Sequence, residues 1–268
     1  MTVDTMTPQP SGPPSVLSKA RHILDAFLDD DLGVTAVLPL TELARRSGVP
    51  KASVHRLCQE LLEWGLLERA APGTGYRLGL LLFEMGQRVS RQRLLRDAAI
   101  GPMEELIAAT GATVHLGIRA GLDVLYVEKL AGRRPVAEPS TVAGRLPLHA
   151  TATGKVLLAH APRAVLDDAL AAGFPRVTPR TLTSPALLGA QLERIRREGH
   201  AVEVEECRLG HASLAVPVTD GSGVVAALSV TAPTSGPPLR LRLPALRRAG
   251  AAASAALARL QPGGDGPA

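Results

Sequence analysis

A chain of 268 residues with 46% hydrophobic and 21% charged side chains can bury core for two modest domains or one large one, which excludes wholesale disorder. Its formal charge of +5 and pI near 9.8 favour an anionic partner only mildly, and two cysteines, Cys58 and Cys207, exclude a disulfide framework. No apolar run reaches the ~18–20 residues that span a bilayer, and no signal-peptide pattern opens the chain, so a soluble cytoplasmic protein is expected.

Residues 1–14, rich in Pro, Thr and Ser, read as a disordered leader, and 261–268 as a frayed tail. Ser15 is an expected N-cap for a first helix whose stripe Val16, Ala20, Ile23, Leu24, Phe27 and Leu28 recurs at helical spacing. After the acidic loop Asp29 to Asp31, a short second helix starts at Pro39-Leu40-Thr41. It turns Leu43 and Ala44 inward and Arg45 and Arg46 outward, and Gly48 breaks it. A third helix runs from about Pro50 to Trp64 with Val54, Leu57, Cys58 and Leu61 inward, and Gly65 ends it. Leu66–Arg69 and Tyr76–Leu78 read as strands around a turn-rich tip. One helix is expected from Leu80 to Arg96, and the domain boundary is placed in it. This gives a first domain over 15–79, a linker helix over 80–97 and a larger domain over 98–260.

That larger domain opens on a helix from about Ala98 to Ala109. Strands follow at Thr113–Arg119, Val124–Leu130, Ala201–Glu205, Ala212–Val218 and Val224–Thr231. Helices are expected near Ala152–His160, Pro162–Ala172, Pro185–Arg197 and Pro244–Leu260. Gly221-Ser222-Gly223 is a hairpin turn. The order implies an α+β fold, a sheet covered by helices, and not a doubly wound parallel sheet.

The charge is unevenly spread, with ten Lys/Arg against five Asp/Glu between Leu40 and Arg96. Within that stretch the third helix opens Lys51-Ala52-Ser53-Val54-His55-Arg56, small and hydrogen-bonding at its N-terminal end. A recognition helix needs this, because its first two turns enter the major groove. Ser53 and His55 are candidate base readers, and Lys51 and Arg56 candidate phosphate or guanine contacts. Thr41 and Ser47 lie where a helix start or turn can bond a phosphate, and Arg77 lies on the wing hairpin.

Those residues, from Leu40-Thr41-Glu42-Leu43-Ala44-Arg45-Arg46-Ser47-Gly48 through Leu57, then Trp64-Gly65-Leu66-Leu67-Glu68-Arg69 and Tyr76-Arg77-Leu78-Gly79, resemble the IclR-type bacterial transcriptional regulators. The resemblance spans about Ser15 to Leu260. Lys19 departs from it where an Arg is usual. Downstream it rests on Gly111 to Gly117, on Arg145 to Ala159, and on Arg197-Glu198-Gly199-His200 through Gly210 to Val218. It implies a winged helix-turn-helix followed by a GAF/PAS-like effector domain with a curved antiparallel sheet. It also implies a homodimer or homotetramer on a palindromic DNA operator, and a small-molecule effector. The effector site it implies comprises Ala152, Thr153, Glu203, Ser213, Ser229 and Thr231, with Leu146 and Leu209 as apolar wall; His149, on an apolar segment, is read separately as a core or pocket-edge histidine with effector contact as its alternative role. Ser213 stands where many members carry a cysteine. Independently, a helix starting at Ala152 offers free N–H groups and a positive dipole end suited to a carboxylate. A monoacid or hydroxylated ligand fits Glu203 better than a small dianion.

Rival chemistry is weaker. Ala150 to Val156 has the wrong glycine spacing for a phosphate loop, and Val156 replaces the Ser/Thr that follows its lysine. Cys207 and His211, four apart, have the types of a nucleophile and its base or of two metal ligands, but no further Cys or ligand set lies nearby and an ordinary pair is the better reading. Glu205 and Glu206 read as a solvated strand end, and Glu203 as the exception if it faces the pocket. His115 and His149 read as core or pocket-edge histidines. The run Arg88, Arg91, Arg93 and Arg96 fits either DNA backbone or a solvated dimer-linker helix. No catalytic residue, metal or cofactor is expected. Two classes remain, a ligand-responsive DNA-binding regulator and an intracellular small-molecule sensor or enzyme without a DNA target.

Overall fold

The computed structural model describes residues 15–29, 32, 36–70, 75–132 and 142–260. The expected leader and tail, most of the wing tip and part of the acidic loop lie outside the described residues. The chain divides into two compact units, Met1–Val89 and Ser90–Ala268.

In the first unit, α1 (Val16–Asp25), α2 (Leu40–Ser47) and α3 (Lys51–Glu63) pack around Ile23, Leu43, Val54, Leu57, Cys58 and Leu61. Ser15 caps α1 by accepting the Ser18 N–H, and Gly48 ends α2 in the left-handed conformation that makes the tight turn into α3. Strands β1 (Leu67–Arg69) and β2 (Tyr76–Leu78) form an antiparallel hairpin. Gly79 brings that hairpin back against the end of α3. A Cβ there would lie 2.1 Å from the Gly65 carbonyl oxygen, so only glycine fits without a backbone shift.

The helix expected over 80–97 is interrupted. Leu80–Gln87 forms α4, and α5 starts at Ser90 and runs on to Thr110, through the position where a new helix was expected. Leu95, Ala98, Ala99, Met103 and Leu106 make one buried stripe across that junction, so packing holds α5 together even though Pro102 removes a ladder bond inside it.

The second unit is built on a six-stranded sheet in the order β5-β4-β3-β8-β7-β6, antiparallel throughout. Its strands are β3 (Thr113–Ala120), β4 (Asp123–Leu130), β5 (Arg145–Pro147), β6 (Ala201–Val204), β7 (His211–Asp220) and β8 (Gly223–Pro233). Sequence reasoning missed β5, a three-residue edge strand ending in proline. Side chains alternate between faces. Val114, Leu116, Leu214, Val216, Leu228 and Val230 pack under α5 and α9 (Leu243–Leu260). The opposite face lies under α6 (Ala152–Ala159), and α8 (Pro185–Glu198) packs against α6. Between these two helices in sequence lies α7 (Arg163–Ala172).

Candidate DNA interface and effector cavity

Helix α3 separates its residues cleanly. Val54, Leu57, Cys58 and Leu61 are buried, while Lys51, Ala52, His55 and Arg56 are exposed and Ser53 is half-buried. The exposed set spans the first two turns, the part of a helix that enters a groove. Lys51 has no ion pair with a described residue, whereas Arg56 bonds Glu60 at 2.7 Å, one turn on. Thr41 is exposed in the first turn of α2.

Other basic or polar candidates are engaged within the unit. Arg45 and Arg46 both bond Glu42, and Arg46 also reaches Asp29 at 2.6 Å. These guanidiniums hold the Glu42 carboxyl down to about 2, Arg45 contributing most. Ser47 donates its hydroxyl to the Leu43 carbonyl and accepts the Val49 N–H, so it builds the turn. Arg77 is paired with Glu68 at 2.8 Å, and the other oxygen of Glu68 accepts the Leu80 N–H at the start of α4.

In the second unit, cross-strand register assembles a partly open cavity. One row runs Thr231, Ser213 and Glu203 across β8, β7 and β6, and the next carries His115, Ser229 and Ala215 across β3, β8 and β7. Small side chains leave the space, and α6 roofs it. Thr151 caps α6 by accepting the Gly154 N–H at 3.0 Å, and the first-turn N–H groups of Ala152 and Thr153 have no intrahelical acceptor. Thr153 donates to the Ser229 hydroxyl at 3.0 Å, which ties the helix start to the floor. Gly154 and Gly117 permit that approach. A Cβ on Gly154 would lie 2.3 Å from the Leu148 carbonyl oxygen, and one on Gly117 would lie 2.8 Å from Thr153 Cγ2.

Leu146, Ala152, Thr153, Glu203, Ser213, Ser229 and Thr231 all line this cavity. The other two expected residues do not. His149 is buried behind the helix start, where its ring bonds the Pro175 carbonyl at 2.9 Å and lies beside Phe174, and burial pushes its pKa down. Leu209 is 55% exposed at the tip of the turn before β7. The lining also includes His115, Tyr126, Thr151, Cys207, Arg208 and His211.

A buried polar system stands behind the wall. Lys155 is wholly buried and ion-paired with Glu206, far from any role as a phosphate-binding lysine. The second oxygen of Glu206 accepts the Leu182 N–H at 3.1 Å, and Thr178 and Thr181 donate to the carbonyls of Glu205 and Glu206. Glu205 sits at φ 61°, a left-handed conformation unusual for its type, and so turns the chain from β6 along the cavity. The backbone N–H groups of Glu206 and Cys207 then close onto Glu203 Oε1. Burial pushes the Glu203 carboxyl up to about 7 against those two bonds, which favour the charged form.

Residues 16–71 match the IclR helix-turn-helix domain, and residues 87–253 match the bacterial transcriptional regulator IclR C-terminal domain. The chain belongs to the IclR family. Among IclR-type relatives, the transcriptional regulator XynR of Escherichia coli K12 is 36% identical over 222 residues, 82% of this chain and 86% of the relative. KdgR of the same strain is 36% identical over 229 residues, 84% of each. An IclR homologue from Microbacterium hydrocarbonoxydans, solved with 4-hydroxybenzoate, superposes with a TM-score of 0.83 at 30% identity, covering 91% of this chain and 99% of that one. The protein is thus an IclR-family transcriptional regulator with an effector-binding domain, and not an enzyme. No helix among the described residues is long and apolar enough to cross a membrane.

Sequence reasoning missed Arg208 and Tyr126 as cavity residues and set His211 aside. The only local signal was the polar run from Glu203 to His211 between two apolar strands. Its inward members depend on the Glu205 turn and on strand register.

Proposed function

We propose that this regulator reads operator DNA through the start of α3 and responds to a small organic acid held in the cavity beneath α6. The observation that carries the DNA reading is the exposed set Lys51, Ala52, His55 and Arg56 at the start of a helix whose opposite face is core. Ser53 and His55 read base edges, Lys51 and Arg56 supply phosphate or guanine contacts, and Thr41 meets the backbone from α2. Ser47 and Arg77 act through the turn and the wing. A gel-shift with the DNA flanking its own gene tests this reading. Replacing His55 by Ala is expected to cost about tenfold or more in specific affinity. Replacing Lys51 by Ala lowers the salt slope by about one. Equal binding by wild-type and both variants overturns the reading.

The operator is palindromic and is bound by a homodimer, or by a pair of dimers. Support comes from α4, which buries no residue while leaving Leu80, Phe83 and Met85 more than half exposed, an apolar surface that a second copy would cover. Light scattering on Phe83→Asp protein is expected to show monomer.

The effector reading rests on complementary groups at one cavity. Arg208 lines it with no ion pair to a described residue, Ala152 and Thr153 offer helix-start N–H groups, and Nε2 of His211 is buried without a partner among the described residues. A carboxylate with a hydroxyl satisfies this set, and the Microbacterium homologue was solved with such an acid. Calorimetry with a panel of small hydroxy acids tests it. Arg208→Ala is expected to weaken acids at least tenfold and their uncharged amides little. The protein acts in the cytoplasm, where its operator lies.

A further inference from the structure

Glu203 differs from every other polar group of the cavity wall. It is 3% exposed, and its Oε1 is fixed by the N–H groups of Glu206 and Cys207. Its Oε2 accepts from no described residue, although the side chain lines the cavity. The charged and titratable groups around it come from every packed element. They are His115 on β3, Tyr126 on β4, Lys155 on α6, Glu206, Cys207 and Arg208 in the turn, and His211 on β7. Lys155, the buried cation behind this wall, is held by Glu206. Arg208 stands on the lining as the group suited to an incoming anion.

An ionised Glu203, itself almost wholly buried on the cavity wall, would therefore stand beside an anionic effector, and two like charges at close range cannot both stay ionised cheaply. A protonated Glu203 has the opposite character. Its carbonyl oxygen keeps the two backbone bonds, and the O–H on Oε2 becomes a donor aimed at the ligand.

We propose that Glu203 is the proton-binding group of the effector cavity, so that an anionic effector is taken up together with one proton and the regulator's occupancy falls as the pH rises. This deepens the effector-site reading and rests on it. No bond to the effector is made or broken; the proton comes from solvent and returns to it on release. The position of the free-state carboxyl, pushed up to about 7, puts the effect at physiological pH. Below that value Glu203 is already protonated and affinity is flat. Above it each bound effector must bring in a proton, and the dissociation constant rises up to about tenfold per pH unit.

The test is calorimetry on the full chain with 4-hydroxybenzoate and benzoate as probes, at about pH 6 in phosphate and in Bis-Tris, and at about pH 8 in phosphate and in Tris. The two buffers at each pH differ in ionisation enthalpy, so the difference in heat counts protons without any variant. Expected are close to one proton taken up at the higher pH, little at the lower, and weaker binding at the higher. Glu203→Gln keeps the oxygen that accepts the two backbone bonds and is expected to bind both probes with no proton uptake and a flat pH profile. Binding to the wild type without proton uptake, or undiminished uptake in Glu203→Gln, overturns this inference and leaves the effector site standing. No binding of either acid at either pH overturns the effector-site reading and the inference with it.

Discussion

The two units treat their polar groups in opposite ways. The first keeps an apolar core under α1–α3 and presents Lys51, His55 and Arg56 on the surface, so the residues proposed for recognition are not the ones that hold the fold. The second places Lys155, Glu206, Glu203, Thr153 and Ser229 inside, where the same groups shape the cavity and hold the fold. A surface reader can therefore be altered at little structural cost, whereas an enclosed reader cannot.

The largest expected effect tests the enclosed side. Lys155→Met leaves Glu206 buried without its cation and is expected to cost about 3–5 kcal/mol in denaturant unfolding of the second unit. Adding Glu206→Leu removes the stranded charge and is expected to recover most of that loss. A single-variant loss below about 1 kcal/mol would break the comparison.

Next come two glycines that make equivalent close approaches in different units. Gly154→Ala forces a Cβ toward the Leu148 carbonyl, and Gly79→Ala forces one toward the Gly65 carbonyl. Each is expected to cost about 1–3 kcal/mol. Calorimetric melts should show each substitution lowering the transition of its own unit. If both lower a single shared transition equally, the units do not unfold separately.

A smaller effect follows from Glu203 without ligand. Its folded pKa lies above the usual carboxylate value of 4.5, at about 7, so the folded state holds its proton more tightly than the unfolded chain does. The carboxyl's contribution therefore falls as pH rises from about 4.5 through about 7, and stability with it. Glu203→Gln should flatten that slope, and an unchanged slope would place the titration elsewhere. The smallest expected effect lies on the surface reader. Arg56→Ala should leave the melting of the first unit within about 0.5 kcal/mol of wild type while weakening operator binding.

The same contrast explains what the sequence disclosed. The helices of the first unit were legible because their signals are local: the Ser15 cap, the glycine stop at Gly48 and the buried stripe of α3. The cavity's floor was legible only through resemblance, because Glu203, Ser213 and Thr231 meet through strand register across widely separated segments. Arg208 and Tyr126 carry no local mark of facing inward. His149 and Leu209 were misplaced for related reasons. His149 lies in the 3-10 turn just before α6, and its ring finds the Pro175 carbonyl instead of the cavity. Leu209 sits next to lining residues in sequence but at the outer tip of their turn. The break at Arg88 and Val89 was invisible because the residues on both sides favour helix, and only the packing of α5 distinguishes them.

The burial of Lys155 has a practical consequence. The chain contains four lysines, Lys19, Lys51, Lys129 and Lys155, and of these only Lys155 is fully enclosed. Its amine is beyond the reach of an acylating reagent while the effector unit is closed, whereas Lys51 remains open throughout. The rate at which a mass spectrometer sees Lys155 become labelled, referred to Lys51 in the same sample, is thus a built-in clock for the opening of the sensor core.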